Sequence, residues 1–369
     1  MIASIGHTVA FEHAYPRYKL SMPEPLKLKE IKLRMQAYGV KPKKKFGQNM
    51  LADFNLLKAI VTDAEITKDD CVLEIGTGAG SLTGYLCDFA GMVLTVEIDR
   101  GMYAMSRDIL ADVPNLVQLC ADALPERGRG LNADVVSLVR GYLFDGELPE
   151  NSETVTNNVK GELPGTEHLK MVANLPYSVA TNVLISLLES RLPVEKISVM
   201  VQLDVAQKIA THFGHKNFGI PALLISRFAE AKISRRVPAK VFWPKPKVQS
   251  AVLEITLRGD DVDMEAYHRL RTLAHVVFQN RRKAASNALS IALDVKNSDA
   301  AEWLKAVGID PQARAESIDP DALQKLADNP EIVPLVLKAN QMHEDQLAEK
   351  AEKLERRREW QARLQAEEE

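Results

Sequence analysis

A glycine-rich turn between an apolar strand and an apolar helix constrains the fold of this chain more than any other feature. Residues 71–75 (Cys-Val-Leu-Glu-Ile) are predicted to form a buried parallel strand, and residues 82–89 repeat apolar side chains at helical spacing. Between them lies Gly76-Thr-Gly-Ala-Gly-Ser81. Glycines at such a turn let a ligand approach the backbone and aim helix amides at it. The stretch therefore predicts an α/β domain with a ligand site at the carboxyl edge of its sheet.

A second predicted strand, residues 92–99, follows this unit and ends in acidic residues. Glu97 comes about 20 residues after Gly76, the offset at which nucleotide-binding α/β units place an acid for ribose hydroxyls. A dinucleotide fingerprint would need a glycine where this chain has Ser81, so the pattern favours a ligand without a pyrophosphate. Asp122 follows the third predicted strand, where its carboxylate accepts a hydrogen bond either from an adenine amino group or within a local turn.

Residues 174–177 (Asn-Leu-Pro-Tyr) form a second candidate site, between a predicted strand and a predicted helix. This position is the carboxyl end of a strand, where open α/β sheets bind their ligands. The Asn174 amide oxygen and the Leu175 carbonyl both accept hydrogen bonds, and Tyr177 offers a flat π surface beside them. Together these groups suit a planar ring that carries an exocyclic amino group. The alternative is a proline turn with a core tyrosine.

The composition of the 369-residue chain excludes several classes of protein. No apolar run is long enough to span a membrane, and the first 20 residues lack the apolar core of a secretory signal. Cys71, Cys87 and Cys120 are the only cysteines and show no paired spacing, which predicts a reducing compartment without disulfides or a zinc site. We therefore expect a cytoplasmic protein without a bound metal or a membrane partner.

Charge is distributed unevenly along the chain, although the formal net charge is only −3. Residues 1–50 hold ten Lys or Arg against three acids, residues 230–283 hold twelve against six, and residues 141–169 hold one against six. Local basic segments are typical of a nucleic-acid partner, with ordinary solvated faces as the alternative. Phe242 lies among lysines in the sequence. Its ring could stack on a nucleic-acid base, or it could belong to a hydrophobic lid. The candidate phosphate contacts are Lys43, Lys44, Lys45, Lys245, Lys247, Arg281, Arg282 and Lys283.

The predicted elements divide the chain into four parts. Residues 1–40 are an N-terminal extension, and residues 41–258 carry the alternating strands and helices. Within that range, residues 125–168 show no periodic pattern of apolar residues, which predicts an insertion or a flexible segment. Residues 259–335 are predicted to form about four helices, and residues 336–369 a charged helical tail.

Seven ordered motifs give the chain a specific resemblance to a known family. Over roughly residues 40–330 it is similar to the ribosomal RNA adenine N6,N6-dimethyltransferases of the small subunit, the kasugamycin-sensitivity type. It departs from the family's pattern at Thr77, where proline is usual, and at Ile220, where an arginine is expected. The motifs are Phe46-Gly-Gln-Asn-Met-Leu51, Glu74-Ile-Gly-Thr-Gly-Ala-Gly80, Val96-Glu-Ile-Asp-Arg100, Ala121-Asp-Ala-Leu124, Asn174-Leu-Pro-Tyr177, Phe242-x-Pro-x-Pro-Lys-Val248-x-Ser-Ala-Val252 and Phe278-x-x-Arg-Arg-Lys283.

The resemblance implies an α/β fold of the Rossmann-like, S-adenosylmethionine-dependent methyltransferase type. Its sheet would be mostly parallel with seven strands, and a small all-α domain would follow. Glu97 would bind the cofactor's ribose and Asp122 its adenine, and the target base would lie between Tyr177 and Phe242. The candidate cofactor-binding residues are Gln48, Asn49, Leu51, Gly76, Gly78, Glu97, Asp122 and Asn174. The candidate catalytic residues are Asn174, Leu175, Tyr177 and Phe242.

The resemblance also implies a substrate. It implies N6,N6-dimethylation of two adjacent adenosines in a hairpin loop near the 3′ end of small-subunit rRNA, with a role in small-subunit biogenesis. The protein would act on an assembling ribosomal particle, in the cytoplasm and as a monomer. Two other interpretations stay open: an erythromycin-resistance-type methylase of large-subunit rRNA, and a non-enzymatic RNA-binding assembly factor. The basic run at residues 281–283 favours the small-subunit type, and the intact Glu97 and Asn174 argue against a non-enzymatic factor.

Overall fold

A central mixed sheet organises the described part of the chain. The computed structural model describes residues 28–43, 47–51, 53–125, 130–259 and 261–339, with scattered positions between 341 and 360. The strands are β1 (Met50–Leu51), β2 (Asp70–Ile75), β3 (Met92–Glu97), β4 (Leu116–Cys120), β5 (Val155–Asn157), β6 (His168–Asn174), β7 (Val194–Gln202), β8 (Ala229–Val237), β9 (Phe242–Trp243) and β10 (Ser250–Leu257). The α-helices are α1 (Leu28–Ala37), α2 (Phe54–Asp63), α3 (Ser81–Phe89), α4 (Arg100–Ile109), α5 (Ala133–Arg140), α6 (Ala180–Glu189), α7 (Leu203–Ile209), α8 (Ile220–Ile225), α9 (Met264–Gln279), α10 (Ala285–Leu293), α11 (Asn297–Ala306) and α12 (Pro320–Ala327).

The main sheet has eight strands within the described ranges, in the order β5-β4-β3-β2-β6-β7-β10-β8. The five strands from β4 to β7 in this order run parallel, whereas β5, β10 and β8 pair antiparallel with their neighbours. A mostly parallel sheet confirms the predicted class. The sheet nevertheless contains one strand more than the seven expected, because residues 125–168 contribute β5 at its edge.

The described residues of the 125–168 segment are docked against the sheet. α5 continues into one π-helical turn, Gly141–Asp145, before the chain reaches β5. Two side-chain contacts then hold the segment in place. The Tyr103 hydroxyl lies 2.8 Å from the Thr156 hydroxyl, and the Asn158 amide donates to the Leu110 carbonyl at 2.9 Å.

Local sequence signals explain where the helices around the sheet begin. The Asp53 carboxylate accepts a hydrogen bond from the Leu56 N–H at 3.0 Å, which caps α2. Asp99 caps α4 in the same way, through the N–H groups of Gly101 and Met102. Asp53 follows β1 and Asp99 follows β3, so these caps fix where α2 and α4 begin.

A two-stranded ribbon joins the N-terminal part of the chain to its second half. β1 pairs antiparallel with β9, with Met50 opposite Trp243 and Leu51 opposite Phe242. Helix α1 packs beside this ribbon, where the Lys32 ammonium lies 4.8 Å from the centre of the Trp243 ring. Apolar contacts between α1 and α4 complete a small core cluster that also includes Met50.

The C-terminal helices α9 to α12 share a continuous hydrophobic core with one face of the main sheet. Aromatic pairs cross this junction: the Phe228 and Tyr267 rings are 4.8 Å apart, and the Phe218 and Phe278 rings are 6.2 Å apart. The helical part begins at Met264, within the range 259–335 that was predicted to be helical. None of the helices in the described residues is both long and apolar enough to cross a membrane.

Candidate active site

A cavity of about 300 Å3 lies at the carboxyl edge of the sheet. The turns after β2, β3, β4 and β6 line it, together with residues 47–51. These are the turns in which the sequence patterns predicted ligand-binding residues. The cavity brings together the candidates Gln48, Asn49, Leu51, Gly76, Gly78, Glu97, Asp122, Asn174, Leu175 and Tyr177.

The glycine-rich turn forms one wall of the cavity. Gly76 and Gly78 have φ values of +95° and +56°, a conformation that glycine adopts without a steric penalty. The Gly76 N–H donates to the Val96 carbonyl, and the Gly78 N–H donates to Glu97 Oε2, each at 2.8 Å. These bonds tie the turn to the carboxyl end of β3. Helix α3 begins directly after the turn at Ser81, which also lines the cavity.

Glu97 is a buried carboxyl group that is already held by two backbone amides. Its Oε2 accepts from Gly78, and its Oε1 accepts from the Asp99 N–H at 2.9 Å. Burial raises the pKa of Glu97, and these amide bonds oppose the rise. Each carboxylate oxygen has a second lone pair, so the group can still accept hydrogen bonds from hydroxyls in the cavity.

Asp122 lies at the exposed rim of the cavity after β4. Its Oδ1 accepts a hydrogen bond from the Leu124 N–H at 3.0 Å, so it also acts as a local turn residue. The sequence patterns missed Ile98, an apolar side chain that lines the cavity and remains 37% exposed. Its place directly after the acidic end of β3 is the signal that could have identified it. An exposed apolar surface at a cavity mouth suits a flat hydrophobic ligand.

The Asn174 side chain is oriented by the N-terminal part of the chain. Its Nδ2 donates to the Asn49 carbonyl at 2.8 Å, which leaves its amide oxygen available as an acceptor. The backbone of the next residue is fixed because the Leu175 N–H donates to the Met200 carbonyl at 3.1 Å. Gly47 packs on the same turn: with φ +60°, an added Cβ there would lie only 3.2 Å from the Tyr177 nitrogen. The acceptors predicted at this turn are therefore held in a fixed arrangement.

Tyr177 lines the cavity, but Phe242 does not. The Tyr177 hydroxyl lies 2.6 Å from the Ser250 hydroxyl, and burial raises the pKa of Tyr177. Phe242 is only 4% exposed, because β9 pairs with β1 and its ring packs in the core cluster that contains Leu51. The structure therefore does not form the predicted base sandwich of Tyr177 and Phe242. The role of Phe242 stays a prediction that requires its ring to become accessible.

Three buried polar atoms of the cavity residues have no hydrogen-bond partner in the described part of the chain. They are Gln48 Nε2, Ser81 Oγ and Glu74 Oε1. Buried polar groups are rarely left unpaired, so these atoms indicate a polar ligand in the cavity. Together they offer two donors and one carboxyl oxygen. This set matches a ligand that carries both a carboxylate and an ammonium group. The described residues contain no cluster of three or more His, Cys, Asp or Glu side chains that could hold a metal ion.

Lys43 was predicted to contact a phosphate, but in the structure its side chain forms an ion pair within the protein. Its ammonium forms a 2.8 Å ion pair with Asp99, whose side chain is fully buried. Burial alone would raise the pKa of Asp99, but hydrogen bonds from Lys43 and from the α4 amides outweigh it and lower the pKa. The ion pair anchors the N-terminal part beside the cavity. Lys44 and Lys45 lie outside the described residues.

The basic run at residues 281–283 is divided between two roles. It lies in the turn between α9 and α10. Arg281 donates to the Lys216 carbonyl at 2.9 Å and lies 3.5 Å from the Glu316 carboxylate, so it links a loop of the sheet domain to the helical part. Arg282 and Lys283 are exposed, as are Lys245 and Lys247 in the loop after β9. No ion pair involves these four side chains within the described ranges.

A mostly parallel sheet with a ligand cavity at its carboxyl edge is the arrangement of S-adenosylmethionine-dependent methyltransferases, and the family match places this chain among them. The chain belongs to the ribosomal RNA adenine dimethylase family, whose sequence pattern matches residues 39–329. The match covers the sheet domain and the helices α9 to α12. It confirms the family resemblance, and with it the enzyme class and the cofactor, S-adenosylmethionine.

Curated relatives agree with this assignment. The "Ribosomal RNA small subunit methyltransferase A" of Lachnoclostridium phytofermentans is 34% identical over 289 residues, which cover 77% of this chain and 90% of the relative. The protein of the same name from Rhodococcus erythropolis is 34% identical over 317 residues, which cover 85% of this chain and 95% of the relative. This chain therefore spans nearly the whole length of these relatives.

Solved structures confirm the fold. A dimethyladenosine transferase from Plasmodium falciparum has a TM-score of 0.55 at 19% identity, covering 78% of this chain and 98% of that one. The 23S rRNA methyltransferase ErmE has a TM-score of 0.51 at 21% identity, and the match covers 76% of this chain and 98% of that one. At these identities the likeness concerns the fold alone.

Proposed function

We propose that this protein transfers methyl groups from S-adenosylmethionine to N6 of two adjacent adenosines in a hairpin loop near the 3′ end of small-subunit rRNA. The product is N6,N6-dimethyladenosine, and the substrate is an assembling ribosomal particle in the cytoplasm, on which the protein acts as a monomer. One observation carries the proposal: the Asn174–Tyr177 turn, with a free amide oxygen and an aromatic ring, faces the cavity that holds Gly76 and Glu97. The name shared by the curated relatives supports the small subunit as the source of the RNA.

The cavity residues fit the cofactor. When bound, S-adenosylmethionine supplies an electrophilic methyl group on its sulfonium. Glu97 accepts hydrogen bonds from the ribose hydroxyls, and Asp122 accepts one from the adenine amino group. Further contacts come from the glycine turn and from the N-terminal segment. These proposed contact residues are Gln48, Asn49, Leu51, Gly76, Gly78 and Asn174.

Asn174 and Leu175 prepare the target nitrogen for attack. The lone pair of adenine N6 is delocalised into the ring, so the free amino group is a poor nucleophile. Hydrogen bonds from this group to the Asn174 oxygen and the Leu175 carbonyl favour a pyramidal nitrogen and stabilise the positive charge that develops on it. No strong base is required, because the alkylated nitrogen loses its proton readily to water. The fixed arrangement of the turn contributes to the rate by holding N6 in line with the methyl group.

Tyr177 positions the base by stacking. A loop base is already poorly stacked, so its extrusion into a protein pocket costs less than extrusion from a duplex. The bond between the Tyr177 and Ser250 hydroxyls restricts rotation of the ring at the cavity wall. The ring therefore presents a flat, pre-oriented surface to an adenine that enters beside Asn174.

The function is tested by methyl transfer from labelled cofactor to ribosomal particles of a methylase-deficient strain. We expect label in small-subunit particles and none in large-subunit particles. Nucleoside mass spectrometry under excess cofactor should show N6,N6-dimethyladenosine as the end point. Label in large-subunit RNA would favour an erythromycin-resistance-type methylase. Bound cofactor without transfer to either particle would favour a non-enzymatic assembly factor.

Glu97→Ala is expected to weaken S-adenosylmethionine binding by about 1–3 kcal/mol, because the ribose hydroxyls lose a buried acceptor. Isothermal calorimetry measures the change. Glu150→Ala is the matched control, since this carboxylate is exposed and lies outside the cavity, and its affinity should equal that of the parent. An affinity unchanged by Glu97→Ala would refute the ribose assignment.

Replacing Arg282 and Lys283 together with alanine is expected to flatten the dependence of RNA affinity on salt. The slope of log affinity against log salt should fall by roughly 0.7–0.9 for each phosphate that the protein no longer neutralises. Filter binding over a salt series measures it. Arg281→Ala serves as a contrast. It removes a hydrogen bond to the Lys216 carbonyl and the ion pair with Glu316, so its main effect should be a lower melting temperature, with a smaller effect on the salt slope. An unchanged slope in the double variant would place the RNA surface elsewhere.

A further inference from the structure

The loop between α7 and α8, residues 210–219, presents an aromatic ring to solvent. Phe213 is 52% exposed, although phenylalanine is among the residues most often found in a protein core. Single exposed apolar residues are nevertheless common on protein surfaces, so exposure alone assigns no function to this ring. The fixed backbone of the loop and its charge distinguish Phe213 from an ordinary surface residue.

A tight turn holds Phe213 at its corner. The His215 N–H donates to the His212 carbonyl at 3.2 Å, and Gly214 has a φ of +87°. A positive φ at the third residue is characteristic of a type II turn, in which Phe213 takes the second position. The Gly214 N–H also donates to the Glu316 carbonyl at 2.7 Å, which attaches the turn to the helical part of the chain. The backbone that carries the ring is therefore already ordered, and this lowers the entropy lost on binding a partner.

The loop is basic. It contains Lys216 and two histidines, and no acidic residue occurs between positions 205 and 229. The Arg281 guanidinium donates to the Lys216 carbonyl at 2.9 Å, so the turn that carries Arg282 and Lys283 lies against this loop. Lys216, Arg282 and Lys283 are all exposed, and no ion pair involves them among the described residues. These cations are therefore available to an anionic partner.

A second exposed phenylalanine provides a contrast in charge. Phe144 is 64% exposed and lies in the π-helical turn Gly141–Asp145. Residues 141–169 hold six acids against one lysine, so this ring lies in a segment that repels phosphates. The two rings are alike in type and in exposure, but of the two only Phe213 lies among exposed cations. A nucleic-acid partner is therefore indicated at Phe213 and not at Phe144.

We propose that the loop at residues 210–219 is a further RNA-contact site, at which Phe213 stacks on an unpaired base while Lys216, Arg282 and Lys283 bind adjacent phosphates. An aromatic ring beside cations is the combination with which proteins bind single-stranded nucleic acid. A duplex offers its phosphates but keeps its bases stacked, so the ring selects single-stranded RNA. The loop does not line the cofactor cavity, so the stacked base is not the base that enters the cavity. The inference rests on the RNA substrate proposed above.

Fluorescence anisotropy with a labelled oligouridylate, an RNA that forms no stable duplex, measures the contact. Phe213→Ala is expected to weaken binding by about 5- to 150-fold, the range for lost stacking of one base on an aromatic ring. The slope of log affinity against log salt should stay parental, because no charge is removed. Phe144→Ala is the matched control and should bind as the parent does. Unchanged affinity in Phe213→Ala, or an equal loss in Phe144→Ala, would overturn the proposal.

Two further substitutions at position 213 separate stacking from burial of an apolar side chain. Phe213→Trp keeps an aromatic face and should retain the parental affinity. Phe213→Leu keeps apolar bulk without a ring and should lose nearly as much as Phe213→Ala. Parental affinity in Phe213→Leu would refute stacking. An RNA duplex of the same length should bind Phe213→Ala and the parent equally, and a loss as large as on the single strand would indicate a general effect on the fold and contradict the proposal.

Lys216→Ala tests the phosphate contact. The salt slope should fall by roughly 0.7, the value for one phosphate of a single strand. Arg281 donates to the backbone carbonyl of Lys216, so the substitution leaves that bond in place. An unchanged slope would refute the phosphate assignment.

The outcome for this loop is distinguishable from the outcome for the reaction. Calorimetry with S-adenosylmethionine shows whether each variant is folded, and its affinity should be parental in Phe213→Ala because the loop does not line the cavity. Lost oligouridylate affinity in Phe213→Ala supports the loop site even if no ribosomal particle is methylated. Parental oligouridylate affinity in Phe213→Ala, with methyl transfer intact in the parent, would overturn the loop site and leave the proposed reaction standing.

Discussion

Asn174→Ala is expected to reduce methyl transfer by about 10²–10³-fold, the range found when a positioned hydrogen-bonding group of this kind is removed from an active site. The amide oxygen of Asn174 is oriented because its Nδ2 donates to the Asn49 carbonyl. Its effect is exerted on the target nitrogen, where charge develops during transfer. Cofactor affinity should therefore change far less than the rate. Single-turnover transfer and calorimetry measure the two quantities separately.

Two further variants distinguish the loss of the acceptor from the loss of the bond to the N-terminal segment. Asn158→Ala removes an amide–carbonyl bond of the same type, from Asn158 to Leu110, between two residues that do not line the cavity, and its rate should match the parent's. Asn174→Asp keeps an oxygen acceptor but loses the donor to Asn49, so its rate should exceed that of Asn174→Ala. A parental rate in Asn174→Ala would show that the amide oxygen does not activate the base.

Tyr177→Ala is expected to lower the rate by roughly 5–150-fold, since the stacking of one base on an aromatic ring contributes about 1–3 kcal/mol. Tyr177→Phe keeps the ring and removes only the hydrogen bond with the Ser250 hydroxyl. It should retain most of the rate. Ser250→Ala removes the same hydrogen bond from the other partner, so it should match Tyr177→Phe. Equal losses in Tyr177→Phe and Tyr177→Ala would assign the role to the hydroxyl and refute stacking.

The parts of the fold that the sequence predicted are those with strong local signals. The strand before Gly76 and the helix after Ser81 form as predicted, because continuous apolar runs and a glycine turn leave few alternatives. Asp53 caps α2 because a short acidic side chain satisfies a free helix amide. The turn at residues 174–177 reaches the predicted edge of the sheet for a topological reason: the carboxyl ends of parallel strands lie together.

The features that the sequence did not predict depend on contacts between distant residues. β5 has three residues and no apolar alternation, and it exists because it pairs with β4 and because Thr156 contacts Tyr103. The short helix α8 was also missed, since six residues give too little periodicity. The ion pair between Lys43 and Asp99 joins residues that no local pattern connects.

The candidate site shows the same division. Gly76, Glu97 and Asn174 could be selected from motif spacing, because their chemistry depends on the ends of strands. The burial of Phe242 could not, because it depends on the pairing of β9 with β1.

The pairing of β1 with β9 also determines when the cavity can exist during synthesis of the chain. Met50 and Leu51 line the cavity, yet their strand partners are Trp243 and Phe242, nearly 200 positions later. A nascent chain that ends before these partners lacks the ribbon that holds this wall in place. Closing a loop of that length costs entropy before any contact is formed. The cofactor can therefore stabilise the protein only late in translation, after the strand β9 has left the ribosome that makes it.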